Sequence, residues 1–91
     1  MITLRLTVTN EVGLHARPAS KFVQCANQFR SKITIGKAAE NGSKINAKSI
    51  LSVLSLGVCK GDGIELVIDG DDELIAAEAL KQLIEMNFME K

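Results

Sequence analysis

The chain has 91 residues, and its eleven lysines and arginines are balanced by eleven aspartates and glutamates, so its formal net charge is zero. Aromatic residues make up only 3% of the chain. Without aromatic platforms or a net positive field, nucleic acid is not an expected ligand, and no apolar run approaches the roughly 20 residues of a membrane span.

The first segments predict strands and one amphipathic helix. ITLRLTVT alternates apolar and polar residues, which is typical of a strand with one face in water. From Pro18 onward apolar residues recur at helical spacing and predict a helix that covers the strand's apolar face. KITI predicts a second strand, and Asn41-Gly42 ahead of SKIN predicts a hairpin turn into a short third strand.

The second half predicts a helix, a strand and a longer helix. In NAKSILSVLSLG the apolar residues are too dense for a strand, with Ser49 as the N-cap of a short helix and Gly57 as its end. GIELVIDG alternates again and predicts a fourth strand. Residues 71–73 form an acidic first turn of the last helix. We expect the apolar face of that helix to comprise Ile75, Ala76, Ala79, Leu80, Leu83 and Ile84.

These elements follow one another without a linker or repeat, so we expect one domain spanning residues 1–91. The order of strand, helix, strand, strand, helix, strand and helix predicts an α+β sandwich in which the helices cover one face of a sheet. The other face would present polar side chains to water, as antiparallel sheets allow. The residues expected on that face are Thr3, Arg5, Thr7 and Glu65.

Cys25 and Cys59 are far apart in a chain without a signal-peptide pattern, which indicates free thiols and a cytoplasmic location. We interpret both as small buried hydrophobic residues. One histidine and two scattered cysteines provide no zinc ligand set, so we expect no metal and no other cofactor.

The segment GLHARPAS contains the only histidine and the only proline of the chain. Because Pro18 suits a first helical turn, His15 and Arg17 should lie at or just before the helix start. With His15 as the N-cap, Leu14 and Ala19 fit a hydrophobic staple, and Gly13 gives the backbone freedom to turn in. The ring would then lie over the free amides of the first turn, including those of Ala16 and Arg17, where a phosphoryl group would be held.

The same surroundings should lower the pKa of His15 below its ordinary value of about 6.5, because the helix start and the guanidinium both disfavour an imidazolium. A neutral imidazole is the nucleophilic form that phosphoryl transfer needs. His15 as a simple cap or surface residue remains an alternative on chemistry alone. Hydrolytic base catalysis is disfavoured, because the sequence indicates no nucleophile or oxyanion site beside the histidine.

GLHARPAS, NAKSILSVLSLG and KGDGIELVIDGDDE together resemble the HPr family, the histidine-containing phosphocarriers of the bacterial sugar phosphotransferase system. The resemblance covers essentially the whole chain. It implies an open-faced β-sandwich, with a four-stranded antiparallel sheet covered on one face by three helices. It also implies that phospho-Enzyme I, charged from phosphoenolpyruvate, phosphorylates Nδ1 of His15, that Arg17 steadies the group, and that IIA domains of sugar permeases accept it.

The resemblance further implies a regulatory site and a docking surface. Ser49 matches the family's regulatory serine, the substrate of HPr kinase/phosphorylase in many Gram-positive members, and a transcriptional regulator is a further expected partner. Alternatively, Ser49 is only an N-cap and the apolar residues after it are only core. We expect a monomer whose partner-binding residues are Ile50, Leu51, Leu54, Ser20 and Lys21.

The chain also departs from the family pattern. Leucines replace methionines that are common in many members, and the hairpin GKAAENGS is longer than usual. The longer hairpin is similar to that of the nitrogen-branch carrier NPr, which therefore remains an alternative. A second alternative is a docking module whose surface around His15, Leu51 and Leu54 binds regulators without taking up phosphate. A small-molecule enzyme ranks behind the carrier and the docking module.

Overall fold

The computed structural model describes residues 1–9, 13, 16–38, 44–86 and 88. The elements follow in the predicted order. They are β1 (Ile2–Thr7), α1 (Ala16–Ala26), β2 (Lys32–Lys37), β3 (Ile45–Asn46), α2 (Ile50–Ser55), β4 (Gly63–Asp69) and α3 (Glu73–Glu85). The turn predicted at Asn41-Gly42 lies outside the described residues.

The four strands form one sheet in the order β1-β4-β2-β3, and each pair of neighbours is antiparallel. Leu66 of β4 is paired with Leu4 on one side and Ile35 on the other, so apolar residues line up across three strands. Since paired residues share a face, the alternation of each strand directs its apolar side chains to one side of the sheet.

The three helices cover that apolar side, which confirms the predicted α+β open-faced sandwich. The core combines sheet residues with residues of the helices and of the loop after α2. Its largest fully buried apolar members are Val8, Phe22, Ile33, Ile35, Val53, Val58, Ile64, Leu66, Ile68, Leu80 and Ile84. No helix among the described residues has the length and apolar character needed to cross a bilayer.

The opposite face of the sheet is polar, as predicted. Thr3, Arg5 and Thr7 are exposed. Glu65 lies between two cations, at 2.8 Å from Arg5 Nε and 2.6 Å from Lys44 Nζ. Hydrogen bonds from both cations lower the pKa of the Glu65 carboxyl, and the one from Lys44 contributes more than the one from Arg5.

Two predictions about burial are wrong. Ile75 was expected on the inner face of α3, but it is 65% exposed, because the helix directs Ala76, Ala77, Leu80 and Ile84 into the core and leaves position 75 on the opposite side.

The second concerns the cysteines. Both are free thiols, as predicted, and Cys25 is partly buried in α1, where burial raises the pKa of its thiol. Cys59 is exposed, because it lies in the loop between α2 and β4 rather than on an inward-facing position of either element.

Asp72 joins the start of α3 to the start of β2. Its carboxylate accepts the backbone N–H groups of Arg30 at 2.8 Å and Ser31 at 2.9 Å, and also the Ser31 hydroxyl. The acidic first turn predicted for residues 71–73 is therefore only partly correct. Asp72 is the N-cap residue of α3, but its side chain makes no cap hydrogen bond, because its carboxylate is bound to Arg30 and Ser31 instead.

This contact predicts an acid-sensitive fold. The Ser31 hydroxyl and then the Arg30 amide lower the pKa of Asp72 below its ordinary 3.8, so the folded state favours the carboxylate. The stabilisation is present at neutral pH and is lost as the pH falls through the lowered pKa. Asp72→Asn should therefore lower Tm at neutral pH and reduce the fall of Tm toward about pH 2, as measured by circular dichroism.

The matched control is Asp71→Asn, since the exposed Asp71 side chain has no hydrogen-bond or ion-pair partner among the described residues. It should leave both Tm and its pH dependence close to those of the parent protein. Equal acid sensitivity of the parent and Asp72→Asn would contradict the role assigned to this carboxylate.

Candidate functional site

Helix α1 begins at Ala16, so the only histidine directly precedes its first residue. His15 and Leu14 lie outside the described residues, and the capping role, the staple and the lowered histidine pKa therefore stay predictions. Arg17 is the second helical residue and is exposed. Pro18 is the third, within the first turn, where the missing N–H costs no helical hydrogen bond.

Gly13, which precedes this helix in the chain, has a backbone conformation that favours glycine. Its φ of +62° lies in the left-handed region, which confirms the predicted need for backbone freedom. A Cβ at this position would lie 2.7 Å from Cys59 Cα and in direct overlap with the Val58 carbonyl oxygen. Gly13 therefore packs closely against the backbone of the loop that follows α2.

A shallow concave surface lies beside the first turns of α1. It is lined by Ala16, Arg17, Ser20, Lys21 and Gln24. Gln24 Nε2 donates to Ser20 Oγ at 3.2 Å, and Lys21 Nζ donates to the Phe88 carbonyl oxygen at 2.8 Å. The structure thus brings the predicted residues Arg17, Ser20 and Lys21 together on one surface.

Helix α2 is capped as predicted. Ser49 is its N-cap, and the Ser49 hydroxyl accepts the Ser52 N–H at 3.4 Å. After the C-cap Leu56, Gly57 adopts a φ of +64°, the left-handed conformation that ends many helices.

The apolar residues of α2 divide between core and surface. Val53 is fully buried, whereas Leu51 is 77% exposed, and Ile50 and Leu54 are each more than a third exposed. The alternative that the three predicted docking residues are only core is therefore wrong. We name Ile50, Leu51 and Leu54 the α2 patch; contiguous exposed apolar residues of this kind are typical of protein contact sites.

Polar contacts fix α2 relative to α1. Asn27 Nδ2 donates to the Lys48 carbonyl oxygen at 3.1 Å, and Lys48 Nζ donates to the Phe29 carbonyl oxygen at 2.6 Å. These bonds hold the residue before Ser49 against the end of α1. No sequence pattern indicates these contacts or the contribution of Gln24, because such polar residues resemble ordinary solvated helix and loop positions.

The charged side chains of α1 and α2 are all positive. Helix α1 contains the cations Arg17 and Lys21 and no acidic residue, and α2 contains no charged residue. Although the whole chain is neutral, this face is therefore locally positive and apolar. Such a surface is complementary to an acidic partner with an apolar centre.

Comparison with known proteins connects this arrangement to a function. A sequence model described as "PTS HPr component phosphorylation site" matches residues 2–86. The chain belongs to the HPr family. HPr proteins are phosphoryl carriers rather than enzymes, and several curated relatives of the chain are named phosphocarrier protein HPr.

Three relatives show the extent of the similarity. The phosphocarrier protein HPr of Xylella fastidiosa strain Temecula1 is 43% identical over 90 residues, which cover 99% of this chain and 98% of that protein. The HPr-like protein Crh of Halalkalibacterium halodurans is 46% identical over 85 residues, covering 93% of this chain and 98% of Crh. The crystal structure of HPr-C-His from Thermoanaerobacter tengcongensis superposes with a TM-score of 0.91 at 44% identity, covering 100% and 99% of the two chains.

Proposed function

We propose that His15 is the phosphoryl acceptor of this HPr-family chain, that Enzyme I is its donor and that IIA components are its acceptors. The main support for this proposal is the match of the family's phosphorylation-site model to residues 2–86. Helix α1 also starts directly after the single histidine of the sequence. A residue in that position is next to the free amides of the first turn, which favour an anion.

The transfer requires a neutral imidazole. The Nδ1 lone pair of His15 attacks phosphorus, and the bond from phosphorus to the donor atom of Enzyme I breaks with its electron pair left on the donor. The new phosphoryl group is a dianion, which the amides of Ala16 and Arg17 and the Arg17 guanidinium stabilise. The same displacement, with His15 as the leaving group, then delivers the phosphoryl group to a IIA domain.

Intact-mass measurement tests this function. Incubation with phosphoenolpyruvate and Enzyme I should add one phosphoryl group that acid removes. His15→Ala should abolish the addition, whereas Glu78→Ala, an exposed change on α3, should leave it intact. Subsequent addition of each candidate IIA domain should remove the mass from the parent protein and so identify the acceptors.

The alternative is a docking module that never carries phosphate. The exposed α2 patch alone would support such binding. Absence of any added mass in the parent protein, with Enzyme I shown to phosphorylate another HPr protein in the same mixture, would favour this alternative and contradict the carrier.

We also propose that phosphorylation of Ser49 regulates docking. Ser49 lies at the edge of the α2 patch, beside a face whose charges are positive. A phosphoryl dianion there is tolerated by the helix start but repels the acidic surface of a partner. Ser49 therefore combines a structural role as N-cap with a position from which added charge affects binding.

Ser49→Asp should slow phosphoryl transfer from Enzyme I by about tenfold, because it adds a negative charge beside the contact surface. Ser49→Asn is the matched control, since asparagine has the same shape as aspartate and caps helices as well as aspartate does, but adds no charge. It should transfer at nearly the parent rate in a rapid-quench assay. Equal rates for the aspartate variant and the parent protein would rule out this regulation.

A further inference from the structure

A second concave site lies along β2 and β3, and none of its described lining residues belongs to the surface beside the first turns of α1 or to the α2 patch. It has a volume of about 520 Å³, within the range of small-ligand pockets. We name it the β2–β3 groove. Its polar lining includes Arg30, Lys32, Thr34, Lys44, Asn46 and Lys48.

Strand register explains why these side chains meet. In β2, Lys32 and Thr34 alternate with the buried Ile33 and Ile35, so both lie on the open face. Thr34 is paired with Asn46, and paired residues share a face. The bond from the Ala47 N–H to the Ile33 carbonyl oxygen, at 3.0 Å, extends the pairing toward Lys48. The groove therefore has Arg30 and Lys32 at the start of β2, and Lys44 and Lys48 on either side of β3.

Among the residues that the structure describes, the lining contains four cations and no carboxylate. Lys44 Nζ lies 2.6 Å from Glu65, and Lys48 Nζ donates to the Phe29 carbonyl oxygen. By contrast, the side chains of Arg30 and Lys32 are exposed and have no hydrogen-bond or ion-pair partner among the described residues. Two cations are thus available to a ligand without breaking an existing contact.

The neutral groups of the groove also offer donors. Asn46 Oδ1 accepts the Lys48 N–H at 2.9 Å, which fixes the amide and leaves its NH₂ group without a partner among the described residues. The Thr34 hydroxyl is likewise uncommitted within that part of the chain.

Three carboxylates lie near the groove and could reduce its positive charge. Glu65 is held by Arg5 and Lys44, and Asp72 by the Arg30 and Ser31 amides. Asp69 is the register partner of Lys32 but forms no ion pair with it. The first two are already compensated, so the free groups that line the groove are cations and neutral donors.

We propose that the β2–β3 groove binds a compact anion that carries two or more phosphate groups. Four cations spread around the groove fit several separated charges better than a single one, and a guanidinium is suited to bidentate contact with phosphate. The groove uses none of the residues assigned to phosphoryl transfer, so the proposal does not depend on the proposed function.

The test is an NMR titration of the ¹⁵N-labelled protein with inorganic triphosphate, at an ionic strength of about 0.15 M to screen nonspecific attraction. Saturable shifts are expected at the amides of Thr34, Asn46 and Lys48. Pyrophosphate should bind more weakly than triphosphate, and inorganic phosphate more weakly still.

Two variants and one control test the contacts. Arg30→Gln and Lys32→Gln should each weaken triphosphate binding by about three- to fivefold, because each removes one exposed charge contact. Lys81→Gln removes the same charge from an exposed position on α3 and should bind like the parent protein. The dispersion of each spectrum reports whether the variant is folded, and the map of shifts in the parent protein does not depend on any variant.

Four results would overturn the proposal. They are the absence of saturable shifts, shifts centred on Ala16 and Arg17 instead of the groove, equal weakening by Lys81→Gln, and tighter binding of a hexa-aspartate peptide than of triphosphate. The last result would assign the groove to an acidic protein segment rather than to a phosphorylated small molecule.

Discussion

Leu51→Asp is expected to slow phosphoryl transfer from Enzyme I by about 30-fold or more, the effect of losing one interface hot spot of about 2 kcal/mol. Leu51 is 77% exposed, so the substitution removes little from the core and the fold should survive. The expected loss therefore arises from docking. An aspartate at the centre of the α2 patch is costly to desolvate and repels an acidic partner.

Leu74→Asp provides the matched control. Leu74 is 76% exposed, nearly the same as Leu51, but it lies on α3 outside the α2 patch. Both variants should unfold at nearly the parent temperature, and only Leu51→Asp should raise the KM for Enzyme I in a steady-state transfer assay. Equal transfer by the two variants would show that the α2 patch does not contact the donor.

Gly13→Ala is expected to destabilise the fold by about 2–4 kcal/mol, because two costs add at one position. The φ of +62° is unfavourable for alanine, and the new Cβ would overlap backbone atoms of Val58 and Cys59, which cannot rotate away as a side chain could. Urea unfolding followed by circular dichroism measures the change.

Gly57→Ala separates the two costs. Gly57 has nearly the same φ, +64°, but a Cβ there would meet no atom within 4 Å. This variant should therefore show only the conformational cost of about 1–2 kcal/mol. If Gly13→Ala were no more destabilising than Gly57→Ala, the close packing of residue 13 on the loop after α2 would be contradicted.

The element order and the start of α1 could be predicted because they depend on local signals. Alternation in ITLRLTVT and GIELVIDG required strands with one apolar face, and Ser49 and Gly57 defined the ends of α2. The segment GLHARPAS indicated a helix start directly after His15, and α1 begins at Ala16. The role of His15 itself remains a proposal that the mass assay tests.

The local sequence pattern predicted burial or bonding partners wrongly at residues whose side chains could occupy more than one environment. Ile75 fits an apolar helical face in the sequence but lies in water, and Cys59 is exposed although free cysteines are usually buried. Asp72 fits an acidic first turn, yet its carboxylate binds amides of Arg30 and Ser31, more than forty positions earlier in the chain. Each outcome depends on which segments pack together.

The sequence by itself determined the βαββαβα order, the open polar face of the sheet and the family's histidine motif, because periodicity, caps and turn residues act over a few neighbouring positions. Only the tertiary structure decided that Val53 is buried while Leu51 is exposed, and that Gly13 packs against Cys59. It also decided that Lys32 of β2 and the two lysines beside β3, Lys44 and Lys48, line one groove. These features require contacts between segments distant in the chain, and such contacts depend on packing rather than on local propensity.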